Sequence, residues 1–157
     1  MKKLQNNKSG FTIIEVLIVL AIAGLIMLIV FLAVPALQRN SRNTQIRNDV
    51  GSVLSGVNEY VSANNGNLPT TIASATDGVV TYSNPLSPGS NTTQAKVQPG
   101  TSVANGTSMP PSTSSIVIYL GRKCNGNAFA GTPTNRTYSA GFLIETGSGN
   151  TAQCTEG

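Results

Sequence analysis

From Val16 to Leu37 the chain runs through 22 residues without a charge. As a helix, the stretch 11–37 spans about 40 Å at 1.5 Å per residue, enough to cross a bilayer. One acid, Glu15, sits near its start, and a polar leader from Met1 to Gly10 precedes it with Lys2, Lys3 and Lys8. An ordinary secretory signal has a shorter apolar core, with a small-residue cleavage site behind it. Here the small residue, Gly10, comes in front. A cut after Gly10 therefore leaves the apolar helix in the mature chain, with Phe11 at its tip.

A carboxylate inside a bilayer costs about 2.5–3.5 kcal/mol on insertion scales and by default marks function. Cutting after Gly10 creates an ammonium at Phe11, one helical turn from Glu15. That terminus, from the same chain or a neighbour, can neutralise the acid. The competing reading is that Glu15 simply snorkels to the membrane surface.

Gly10-Phe11-Thr12-Ile13-Ile14-Glu15, followed by an unbroken apolar helix, resembles the class III signal of type IV pilins and pseudopilins. Lys8 ahead of Ser9-Gly10, and Gly24 within the helix, fit the same pattern. The resemblance covers roughly the first fifth of the chain; the remainder matches only in general plan. It implies that a prepilin peptidase cuts after Gly10 and methylates Phe11. It also implies that Glu15 is the assembly acid, paired with the terminus of an adjacent subunit. The implied partners are that peptidase, other pilin subunits in a homopolymeric filament, the inner-membrane assembly machinery, and membrane lipid before assembly. The implied location is a single-pass cytoplasmic membrane protein with its N-terminus in the cytoplasm, and then an extracellular filament. Pro35 departs from the pattern by lying a few residues deeper than the family's usual helix proline.

Charge alone does not orient the helix. Lys2, Lys3 and Lys8 precede it, and Arg39, Arg42 and Arg47 follow it, a near tie by the positive-inside rule. The basic balance is also no sign of a nucleic-acid partner. Three of the ten basic residues lie in the leader, leaving seven against six acids, a formal +1.

Beyond the apolar run the pattern changes. Ile46, Val50, Val53, Leu54, Val57, Tyr60 and Val61 fall on one face of a helix. The expectation is an amphipathic continuation over 38–63, or a separate surface helix after a break at Pro35. Pro35 should bend or loosen its turn, and Gly51 and Gly56 should weaken the helix slightly. Asn64-Asn65-Gly66, with Pro69 close behind, supplies the stop. Asp49 and Glu59 fit a solvated helix face.

The head, 64–157, reads as a small antiparallel sheet laid across that amphipathic face, so the fold class is α+β. Val79–Tyr82, Ser115–Gly121 and Thr137–Thr146 have strand character. Phe129 begins a further strand or lies in a loop. The stretch 83–115 is rich in Ser, Thr, Asn and Pro and reads as a surface loop with at most short strands. Asn91-Thr92-Thr93 and Asn105-Gly106-Thr107 match the short N-glycosylation pattern. Leu, Ile, Val and Phe number 15 of the 94 head residues, a thin supply for a core.

Two cysteines, Cys124 and Cys154, should oxidise if the head lies outside the cytoplasm, closing a loop over 124–154 that type IV pilins often carry. The alternative is two free thiols. Catalytic signals are absent: the chain has no histidine, no zinc-type cysteine pattern and no phosphate-binding loop. Neither a cofactor nor a metal is expected, and the chain is not read as an enzyme. Arg122, Lys123 and Arg136 are candidate contacts for an anionic partner such as DNA. The bland reading is scattered solubilising charge, without the interleaved aromatics of a single-strand groove. The functional expectation is a structural filament subunit. The alternatives are a minor pilin or competence pseudopilin whose head binds DNA or an adhesion target, and a plain signal-anchored surface protein that keeps Met1.

Overall fold

The computed structural model describes residues 10–74, 77–87, 89–131, 134 and 136–157. Of the leader, only Gly10 falls among them. The chain divides into two compact units, one ending at Gln38 and the other running Arg39–Gly157.

A single helix, α1 (Ile13–Ala63), is the first element, and Pro35 lies inside it. In the first unit α1 is long and apolar enough to cross a membrane, and every side chain from Phe11 to Leu37 is exposed. The helix runs on through Pro35 as the first expectation had it, and the alternative of a break there does not occur, since residues on both sides are helical.

In the second unit α1 becomes amphipathic as its periodicity dictates. Ile46, Val50, Val53, Leu54, Val57 and Tyr60 are buried and Val61 partly so. The helix stops at the expected place. Asn65 and Gly66 take left-handed φ values of 55° and 84°, and the Gly66 N–H donates to the Val61 carbonyl at 2.8 Å, a Schellman-like cap.

The head strands are β1 (Thr71–Ser74), β2 (Val79–Ser83), β3 (Thr93–Lys96), β4 (Ser102–Asn105), β5 (Ser115–Leu120), β6 (Lys123–Asn125), β7 (Ala128–Ala130), β8 (Tyr138–Thr146) and β9 (Gly149–Glu156). They form a β1-β2-β3 sheet, a β4-β5-β8-β9 sheet and a β6-β7 hairpin. All pairs are antiparallel except β4 with β5, which is parallel. The α+β plan with antiparallel pairing is as expected, and the parallel β4-β5 pair is an addition to it. The connection 106–114 spans about 30 Å when extended, enough to return past a four-residue strand.

The stretch 83–115 is not merely a surface loop. It supplies β3 and β4, and buries Thr93, Val97, Thr101 and Val103. Near the C-terminus β9 pairs with β8 from Thr146↔Gly149 to Ser139↔Glu156.

One face of the β5-β8 pair meets the helix. Ile116 and Ile118 are fully buried, opposite Phe142 and Ala140. On the other face Met109 and Phe129 close over Gly141, where an added Cβ would lie 2.5 and 2.6 Å from them. Tyr82 ties the β1-β2-β3 sheet to the helix, donating its hydroxyl to the Val53 carbonyl at 3.0 Å. Burial pushes the Tyr82 hydroxyl well above its usual pKa.

Candidate functional site

Gly10 and Phe11 are exposed and precede α1, so the peptide bond between them lies in non-helical chain. The helix start is built by a reciprocal pair. Thr12 donates its N–H (2.8 Å) and its hydroxyl (2.7 Å) to Glu15 Oε2, and the Glu15 N–H reaches back to Thr12 Oγ1 at 3.4 Å. This is a capping box, in which a threonine and a glutamate three residues on satisfy each other's orphan donors. The carboxylate also sits at the positive end of the helix dipole. Glu15 therefore has partners in the uncut chain. Thr12-x-x-Glu15 was legible as a capping box and was missed because the acid was weighed only as a charge in lipid.

Two further polar contacts hold the second unit's helix segment to its head. Asp49 was assigned to a solvated face, but it is buried. Its Oδ1 accepts the Gln98 N–H at 3.1 Å and its Oδ2 the Thr101 hydroxyl at 2.9 Å, fixing the Pro99-Gly100 turn. Its spacing, three residues after Ile46 and four before Val53, was the signal that it belonged to the buried face. Glu59 remains exposed, as expected. The second contact is at Glu145 in β8. Arg42 Nε and an Arg42 Nη grip its two carboxylate oxygens at 2.7 and 2.6 Å. Asn43 meanwhile exchanges both hydrogen bonds with the Glu145 backbone, at 2.8 and 2.7 Å. The hydrogen bond from Arg42 holds the Glu145 carboxyl below the usual carboxylate range and raises the Arg42 guanidinium in return.

Cys124 and Cys154 form a disulfide with Cα atoms 5.7 Å apart, joining the β6-β7 hairpin to β9. The candidate anionic contacts lie around it. Gly121 donates to the Thr137 carbonyl at 2.6 Å and accepts from the Thr134 N–H at 2.7 Å. This brings the chain neighbours of Arg122 and Arg136 together at one edge. Lys123 and Arg136 are exposed, whereas Arg122 is half-buried. The Arg122 guanidinium carbon lies 5.3 Å from the Tyr119 ring centre, within cation–π range, and Tyr119 in turn packs on Phe129 at 5.0 Å. One aromatic ring, Tyr119, thus stands beside Arg122. The edge also holds an acid, since Glu156 Oε1 accepts the Cys124 N–H at 3.0 Å. Among the described residues no three His, Cys, Asp or Glu side chains gather as a metal-type cluster.

Residues 5–31 match a family profile described as the prokaryotic N-terminal methylation motif, the class III signal peptide of type IV pilins. Comparison of the chain with curated proteins and with solved structures returned no match. The matched segment contains Gly10, Phe11 and Glu15 and points to a pilin-like structural protein rather than an enzyme. Together with the apolar helix it fits a membrane-anchored precursor.

Proposed function

We propose that this chain, which carries the class III signal of type IV pilins, is a structural subunit of a type IV pilus or related filament. In this reading a prepilin peptidase cuts the exposed Gly10–Phe11 bond and Phe11 is N-methylated. The head leaves the cytoplasm while the N-terminus stays inside, and apolar faces of residues 11–37 pack against those of other copies after leaving the lipid. The observation that carries the reading is the methylation motif joined to a helix segment with every apolar side chain exposed. Such a surface requires lipid or other helices.

Glu15 has the role of assembly acid. Its capping box gives the carboxylate two donors while the chain is a lone precursor, which lowers the cost of holding it in lipid. The amine released at Phe11 adds a charged donor one residue before Thr12, for use within the chain or by a neighbour.

The test is peptide mass spectrometry on material sheared from native cells. The expected result is a peptide beginning at N-methylated Phe11 in the sheared fraction. An intact Met1 found only in membranes would overturn the filament reading in favour of a signal-anchored surface protein.

A second reading, a minor pilin or competence pseudopilin, draws on Arg122 stacked over Tyr119, with its Nε buried and unpartnered among the described residues. It assigns Arg122, Lys123 and Arg136 to an anionic partner such as DNA. Charge reversal at these three positions is expected to abolish DNA retention if this reading holds. Unchanged retention would leave the structural role alone.

A further inference from the structure

We propose that the cleft at the C-terminal end of α1 binds an uncharged saccharide. The cleft has a volume of about 290 Å³ and is lined by Asn64, Asn65, Asn67, Asn84 and Asn91, with Ser87 and Ser90 at its side and Tyr60 below. Among the described residues no charged side chain lines it.

Part of this amide set forms a fixed wall. Asn64 Nδ2 donates to the Tyr60 carbonyl (2.9 Å) and to the Asn91 carbonyl (3.1 Å), and its Oδ1 accepts the Asn91 N–H at 2.8 Å. Asn91 Nδ2 donates to the Ala63 carbonyl at 3.0 Å, and Asn67 Nδ2 to the Asn64 carbonyl at 2.9 Å. Asn84 Oδ1 accepts from the Thr70 hydroxyl (3.0 Å) and the Leu86 N–H (3.1 Å). These bonds hold the side chains in place before any ligand arrives, which lowers the ordering cost of binding.

The same bonds leave a defined remainder. The Asn84 Nδ2 donors, the Asn67 and Asn91 Oδ1 acceptors, the Ser87 hydroxyl and the whole Asn65 amide have no protein partner among the described residues. The remainder mixes donors with acceptors, and a sugar hydroxyl is both at once. Other ligand classes fit poorly. An anion finds no cationic side chain. A cation would seek the carbonyls at the helix end, but the Tyr60 and Ala63 carbonyls already accept asparagine amides. An apolar ligand would leave the amides unpaired, at a cost.

A second hollow of about 540 Å³ shares Asn67, Asn84 and Ser87 and adds Leu68, Pro69 and Leu120. The half-buried Leu68 and Leu120 give it an apolar part that suits the C–H face of a further sugar unit, so the fit is to an oligosaccharide rather than a single ring. Every lining residue belongs to the second unit, so the site does not depend on the membrane-type segment.

The test uses the full chain in a detergent without a sugar headgroup, applied to an array of uncharged hexose and N-acetylhexosamine oligosaccharides with sialylated and sulfated glycans alongside. The comparison protein is the double variant Asn65→Gly, Ser87→Ala. Asn65 sits at φ 55°, which glycine adopts freely, and neither replaced group holds the fold, so an unchanged melting temperature serves as the control. Retention by the native chain with at least a tenfold loss in the variant is expected. The proposal is overturned if no spot exceeds the detergent blank, if the variant binds equally well, or if only sialylated or sulfated glycans bind.

Discussion

Gly51 and Gly56 lie on one helix and have opposite meanings. A Cβ at Gly51 meets nothing within 4 Å, whereas one at Gly56 would lie 2.5 Å from Tyr82 Cε2 and 2.9 Å from Ala95 Cβ. Gly51→Ala should therefore raise stability by up to about 1 kcal/mol through helix propensity alone. Gly56→Ala should lower it by about 1–3 kcal/mol through overpacking. Urea unfolding of both variants checks the pair, and equal signs would contradict the packing described. Sequence reasoning treated the two glycines alike because propensity sees only the helix and not what lies across it. The Glu145 carboxyl offers a pH handle. Its folded pKa is lowered from 4.5 by the Arg42 hydrogen bond, so its contribution is full above that value and is lost as pH falls through the lower folded value. Melting temperatures from pH 6 to pH 3 should show Glu145→Gln less stable than the native chain at pH 6 and converging with it at the acid end. A gap that stays constant with pH would mean the Arg42 contact contributes nothing.

At the scale of elements, legibility followed burial. α1, β2, β5 and β8 carry apolar residues at the spacing of the face they bury, and each was found where expected. β9 reads Gly-Asn-Thr-Ala-Gln-Cys-Thr-Glu over 149–156, with no apolar alternation. It is an edge strand recruited by backbone pairing to β8 and by the Cys154 bridge, so its side chains need not announce it. β3 and β4 were obscured similarly, since each contributes a single buried side chain, Thr93 and Val103. Because β9 is held from one side and by one bridge, the disulfide should matter out of proportion to its size. A chain-entropy argument gives roughly 3.5–4 kcal/mol for a loop of this length. Reduction, or Cys124→Ser, should shift the urea midpoint accordingly and raise amide exchange first over Thr151–Cys154. Uniform acceleration across β5 and β8 as well would mean that β9 is not an independent unit.

For the whole molecule, the candidate site at the chain's start was readable because it is written in local sequence, while the head's polar clamps depend on contacts between residues separated by 49 to 103 positions. If the filament reading holds, Glu15→Val should insert into membranes normally, or better, but give little sheared filament. Normal filament yield would remove Glu15 from assembly and leave it as a helix cap alone. The Arg42-Asn43-Glu145 clamp bears on a different property, the response to mechanical load. A pull along α1 from its N-terminal side reaches the head first at Arg42 and Asn43, which are gripped by two charged and two neutral hydrogen bonds. The apolar residues beginning at Ile46 are loaded only after those bonds yield. The head is thus attached to its helix by a short-range, brittle polar catch in front of a longer-range, compliant hydrophobic one, and modest tension should be borne without exposing the core.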